Sequence, residues 1–141
     1  MYKILSTGSK ANAIIYHNNI LVDIGVPYFG VKPYVKDISI VLLTHEHSDH
    51  LNIKTLQKLQ FERPSVRVGC GEFLLEKLTK NGIKNIDVYE IGKEYTYYCG
   101  IIIPVKLYHD VQNFGYRIIA FDKKIFHATD TAHLQGITAK N

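Results

Sequence analysis

The sequence predicts an α/β layered domain, and three observations carry that reading. Apolar strand-like runs alternate with amphipathic helical stretches through the middle of the chain. The run ISIVLL at 38–43 is apolar on both faces, which places it inside a covered sheet. Both ends are rich in short segments of Ile, Val and Tyr, so strands flank the alternating middle as a layered domain requires.

Each element has its own justification. YKILSTGS, NAIIYHN and NILVDIG are short strands punctuated by Gly8, the Asn18-Asn19 pair and Gly25, with a hairpin turn at Asn18-Asn19. The stretch after Pro27, which includes Pro33, holds one short helix before ISIVLL. LNIKTLQKLQ places Leu51, Thr55, Leu56 and Leu59 on one helical face with Lys54 and Lys58 outside, giving an amphipathic helix that covers the sheet. SVRVGC then repeats the strand, GEFLLEKLTKNG the helix stopped by Asn81-Gly82, and NIDVYEIG the next strand. The last third returns to strands with KEYTYYCGIIIPVKLYH, NFGYRIIAFD and KKIFHATD, the latter two joined by a tight turn near Asp122-Lys123. No repeat, linker or low-complexity tract divides the chain, so 1–141 is expected to fold as one domain.

Composition narrows the class. At 141 residues and 46% hydrophobic, the chain can bury a core of its own. Charged or imidazole side chains interrupt every apolar stretch before the roughly 18 residues of a membrane span, which excludes a membrane partner. The start, MYKILSTGS, lacks the apolar length of a secretory signal, so a cytoplasmic location is expected. Cys70 and Cys99 have no CxxC partner, which excludes a zinc knuckle or dithiol motif and points to reduced, buried thiols. A net charge of +4 favours anionic ligands without requiring nucleic acid. TGSK at 7–10 has neither the spacing nor the context of a phosphate-binding P-loop and reads as a turn between strands.

The chemistry concentrates in THEHSDH at 44–50, directly after the buried strand. Roughly one shuffled chain in a thousand would hold H-x-H-x-D-H, so a merely solvated polar loop is a poor account of it. Side chains at i and i+2 of an extended segment share a side, so His45 and His47 can face one metal ion. Asp49 and His50 lie beyond a bend at Ser48 and can face a second ion. Imidazole with carboxylate suits Zn2+, with Mn2+ or Fe as alternatives. Other acids and imidazoles stand at strand ends: Asp23 after NILV, a natural partner for orienting a ligating imidazole or the cluster loop, His109 after IIIPVKLY, and Asp130 after KKIFHAT. His17 and His127, each alone in its segment, read as structural.

Asp23 in LVDIG, THEHSDH, His109 and Asp130 in ATDT follow one another in the order of the metallo-β-lactamase-fold hydrolases, which this chain resembles. Within that superfamily STGSKANAIIY is similar to the Gly-Ser…Asn opening of the tRNase Z and YycJ-like branch, and HDVQNFGYRI to its third-histidine motif. The resemblance implies an αβ/βα sandwich with an abbreviated second half. It further implies that His45, His47 and His109 bind one divalent ion, that Asp49 and His50 bind another, and that Asp130 bridges the pair. Asp23 would stay outside the coordination sphere. A hydroxide held between two such ions attacks a phosphorus or carbonyl centre, with Asp49 as the proton-transfer residue.

Family members continue past the bridging aspartate to a final metal-binding histidine, whereas only eleven residues follow Asp130 here, with His133 as the one downstream candidate ligand. The expectation is a fragment of a longer protein, or a compact form that completes its second sheet through a homo-oligomer. Three functions follow: a phosphodiesterase or nuclease acting on nucleic acid or a small or cyclic nucleotide; a thioester, lactone or lactam hydrolase; or an inactive metal-binding protein lacking its last ligand.

Overall fold

A computed structural model describes residues 2–6, 11–107 and 112–128. The chain divides into two compact units, Met1–Val88 and Tyr89–Asn141.

The first unit is built on a six-stranded sheet whose spatial order follows the chain: β1 (Tyr2–Ser6), β2 (Ala13–Tyr16), β3 (Ile20–Val22), β4 (Ile40–Leu42), β5 (Arg67–Gly71) and β6 (Ile86–Tyr89). The first three strands pair antiparallel, and β3, β4 and β5 pair parallel. The parallel strands need crossovers, and the helical stretches supply them. Between β3 and β4 run α1 (Tyr28–Val31) and a 3-10 turn (Lys32–Tyr34) that starts with Pro33 near its first position. The single short helix expected there is thus one turn of α-helix continued as 3-10, because proline is tolerated only at a helix start. Between β4 and β5 lies α2 (Ile53–Glu62), capped by Asn52, whose side chain accepts from the Thr55 amide at 3.1 Å. Its inner face buries Thr55, Leu56 and Leu59, and the Thr55 hydroxyl donates to the Val26 carbonyl. GEFLLEKLTKNG begins as a 3-10 turn (Glu72–Leu74) and becomes α3 (Leu75–Lys80), which ends at Asn81 and a left-handed Gly82.

All three residues of both β3 and β4 are buried, and Leu21 and Val41 join side chains of α2, α3 and the loop around Ile24 in one hydrophobic core. Burial of this kind is worth about 2 kcal/mol per large aliphatic side chain. Arg67 and Asp87 tie β5 to β6 by a two-pronged ion pair at 2.6 and 2.8 Å.

The second unit carries a four-stranded antiparallel sheet in the order β10-β9-β8-β7, from β7 (Tyr95–Tyr97), β8 (Gly100–Leu107), β9 (Asn113–Ala120) and β10 (Lys123–His127). The run KEYTYYCGIIIPVKLYH is therefore two strands folded back at Tyr98-Cys99. Tyr116 is fully buried, with the rings of Phe114 and Tyr89 about it.

The β2–β3 turn spans residues 17–19 and holds both Asn18 and Asn19 as expected, while the β9–β10 turn falls at Phe121-Asp122, beside the Asp122-Lys123 signal. His17 and Asn18 adopt left-handed backbone between β2 and β3, and Phe121 and Asp122 do so between β9 and β10. In each case the pair of positive φ angles is what a tight hairpin demands. Strand register decides which residues take that conformation: Ala120 pairs with Lys123, so only Phe121 and Asp122 remain to turn the chain. Among the described residues no helix is long and apolar enough to cross a membrane. Cys70 and Cys99 are both buried and free of disulfides.

Candidate metal centre

The histidine cluster leaves the buried end of β4 and is stitched to the segment that leaves β3. Asp23 donates its amide to the Leu42 carbonyl at 2.8 Å, and Ile24 donates to the His50 carbonyl at 2.9 Å. Asn52 donates back to Ile24 at 2.9 Å, and Ile24 bridges Leu51 in parallel. The loop itself closes on His47, whose carbonyl accepts from the amides of His50 and Leu51. The strand end before the cluster and the cluster's own end are therefore fixed by backbone bonds to Asp23 and Ile24.

Gly25 makes that clasp possible. A Cβ built there would lie 1.9 Å from the Asp49 carbonyl oxygen and 2.8 Å from the His50 nitrogen, so only glycine lets the two backbones touch. The Gly25 amide donates to the Asn12 carbonyl at 2.9 Å. Asn12 in turn donates its side-chain amide to the Asp49 carbonyl at 3.1 Å and to Asp49 Oδ2 at 3.2 Å.

Asp23 is the buried centre of the polar network. It is 1% exposed and takes a left-handed backbone, φ 63°, a conformation that aspartate tolerates better than most residues. Its Oδ1 accepts from the Thr44 amide at 2.8 Å, and its Oδ2 accepts from the Thr44 hydroxyl at 2.7 Å. The same Oδ2 lies 2.6 Å from His50 Nδ1. The Thr44 hydroxyl also lies 2.8 Å from His45 Nδ1.

The ring of His45 lies between the other two, 4.9 Å from His47 and 4.1 Å from His50, centre to centre. Thr44, His45 and His50 are buried, whereas His47 and Asp49 are partly open and Glu46 and Ser48 face solvent. Asp49 Oδ2 stands 3.4 Å from His50 Nε2. His45 and His50 each have an oxygen within 2.8 Å of Nδ1, which leaves Nε2 for coordination, and three imidazoles beside a carboxylate match the donor chemistry of a divalent zinc or iron site. Among the described residues no group of three His, Cys, Asp or Glu side chains is arranged to hold an ion by itself. His109, Asp130 and His133 lie outside the described residues.

The structure thus brings together Asp23, His45, His47, Asp49 and His50. It adds three residues that motif reading passed over as parts of the site. Thr44 had a visible signal, a hydroxyl wedged between an apolar run and the first histidine. Gly25, two residues after Asp23, and Asn12, in the opening motif, act through backbone proximity that spacing along the chain does not reveal. His17 sits in the β2–β3 turn, and His127 is buried in β10.

Comparison with known structures places this architecture. The YhfI protein of Bacillus subtilis, described as a metallo-β-lactamase fold protein, superposes with a TM-score of 0.65 at 20% identity, covering 81% of this chain and 51% of its own. Human tRNase Z, short form, gives 0.65 at 14% identity, covering 97% of this chain and 70% of its own. A putative metal-dependent hydrolase from Parabacteroides distasonis gives 0.60 at 23% identity, covering 84% and 56%. This chain therefore spans about half the length of YhfI and of the Parabacteroides protein. No curated protein matches it. The family described as Beta-lactamase superfamily domain matches residues 18–140, from the β2–β3 turn through the cluster and onward. The chain accordingly belongs to the β-lactamase superfamily domain family and has the metallo-β-lactamase fold.

Proposed function

We propose that the protein is a metal-dependent hydrolase of phosphodiesters, acting on nucleic acid or on a small or cyclic nucleotide, in the manner of the tRNase Z and YycJ-like branch. The observation that carries this reading is the bond from Asn12 to both the carbonyl and Oδ2 of Asp49. It joins the STGSKANAIIY opening, the segment similar to that branch, directly to the histidine cluster. The net charge of +4 suits an anionic substrate.

His45, His47, Asp49 and His50 would hold divalent ions, zinc in the first instance, with His109 and Asp130 completing the set. Bound there, the ions supply Lewis-acid polarisation and water of lowered pKa. The chain's own residues do the rest. Asp23 and Thr44 orient the imidazoles. Asn12 fixes the partly exposed Asp49 carboxylate, which would serve as the proton-transfer residue.

The test is metal content together with hydrolysis of bis(p-nitrophenyl) phosphate and of linear and cyclic nucleotide diesters under Zn2+ and Mn2+, beside a thioester and a β-lactam. Diesterase activity that falls at least a hundredfold in Asp49→Ala is expected. Activity confined to the carbonyl substrates replaces this reading with thioester or lactam hydrolysis. About one ion per chain and no turnover on any substrate leaves a metal-binding protein without catalysis.

A further inference from the structure

We propose that Thr44 is a positioning residue that extends the reach of one carboxylate to two histidines, fixing the proton of His45 as Asp23 fixes that of His50. The inference rests on the site described above and deepens it.

Counting hydrogens gives the result. Asp23, as a carboxylate, has acceptors only. Its Oδ2 is within 2.7 Å of the Thr44 hydroxyl and 2.6 Å of His50 Nδ1, so both of those groups must donate to it. The hydroxyl has a single hydrogen, and that hydrogen is spent on Asp23. Toward His45, 2.8 Å away, Thr44 Oγ can therefore only accept, which requires His45 to carry its proton on Nδ1. Both imidazoles are driven to the Nδ1–H tautomer, with Nε2 as the coordinating nitrogen of each.

The backbone locks the direction of this relay. Asp23 Oδ1 receives the Thr44 amide at 2.8 Å, so the carboxylate grips Thr44 at two points and the hydroxyl has no latitude to turn its hydrogen toward His45. All four groups are buried, which keeps water from substituting for any link. Two histidines five residues apart thereby answer to one acid. A valine at position 44 would keep the shape, remove the hydroxyl's links to both Asp23 and His45, and leave the His50–Asp23 bond and the Thr44 amide bond in place, whereas serine would keep the hydroxyl.

The experiment is nitrogen-15 NMR of the imidazoles at pH 8, on the full chain as purified and after chelation, for wild type, Thr44→Val and Thr44→Ser, with Zn2+ affinity measured by competition. In chelated wild type His45 and His50 are expected as Nδ1–H tautomers. Thr44→Val should shift His45 to a mixture or to Nε2–H, leave His50 as it was, and weaken Zn2+ about 10- to 100-fold, and Thr44→Ser should restore both. An Nε2–H tautomer at His45 in wild type, or an unchanged His45 in Thr44→Val, overturns the relay. Because the tautomer is read without metal or substrate, a protein that shows the relay but hydrolyses no diester refutes the proposed function and leaves the relay standing.

Discussion

Asp23 carries more of the site than any other single residue, since three donors end on its two oxygens at a buried position. Asp23→Ala strands the Thr44 amide, the Thr44 hydroxyl and His50 Nδ1 at once, and each buried unsatisfied group costs about 1–3 kcal/mol. The left-handed backbone at position 23 adds to the loss, because alanine takes that conformation less readily than aspartate. A fall of about 3 kcal/mol or more in unfolding free energy is expected from urea titration, and a loss below 1 kcal/mol would mean the network is replaced by water. Two other buried groups contribute to a loss of stability at alkaline pH. Burial pushes the Cys70 thiol from 9.0 up to about 12 and the Tyr16 hydroxyl from 10.0 up to about 12. Both are neutral acids whose folded pKa is raised, so above pH 9 the unfolded chain gives up protons that the folded one keeps. Their stability is full below pH 9 and is lost as pH rises toward 12, at a slope of about 1.4 kcal/mol per pH unit for each group once its unfolded pKa is passed. Urea midpoints should fall between pH 8 and pH 10.5, and Cys70→Ala should flatten that fall.

At the scale of elements, the decisive feature is the clasp that Asp23 and Ile24 make with the strand end before the cluster and with the cluster's own end. Gly25→Ala brings a methyl to 1.9 Å from the Asp49 carbonyl, an approach that backbone cannot absorb without moving the loop. The expected result is a cost of about 1–3 kcal/mol by analogy with other overpacked sites, together with loss of the Asn12 bonds to Asp49. A crystal structure of the variant with the loop unmoved would contradict this. The clasp also shows what the sequence made legible and what it hid. The α2 helix was readable because Thr55, Leu56 and Leu59 repeat at its own period. The β9–β10 turn falls at Phe121-Asp122 instead of Asp122-Lys123 because cross-strand register, not the local Asp, selects the left-handed positions. Gly25 and Asn12 escaped notice because their partner, Asp49, is 24 and 37 residues away, and only the parallel pairing of β3 with β4 brings the segments together.

For the whole molecule, the open question is what metal does to a chain whose site is built from segments far apart in sequence. The residues from Asn12 to His50 in the first unit meet only when β2, β3 and β4 are paired. An unfolded chain keeps the H-x-H-x-D-H run but loses Asp23 and Thr44 as its organisers, so it should bind an ion far more weakly than the folded one. Binding that favours the folded state stabilises it by RT ln(1 + [L]/Kd), about 2.7 kcal/mol at a free ion concentration of a hundred times Kd. For a chain of this size that corresponds to a rise in melting temperature of roughly 8 °C. Stripping with a chelator should reverse the rise, and Zn2+ should restore it in proportion to the logarithm of its concentration. Asp49→Ala should lessen the response without lowering the melting temperature of the stripped protein by more than about 1 kcal/mol in equivalent stability, because its side chain is partly exposed. Asp23→Ala should do the opposite, lowering the stripped protein's melting temperature first. A melting temperature indifferent to chelator and to Zn2+ would show that the cluster, however well organised by Asp23, does not couple metal to the fold.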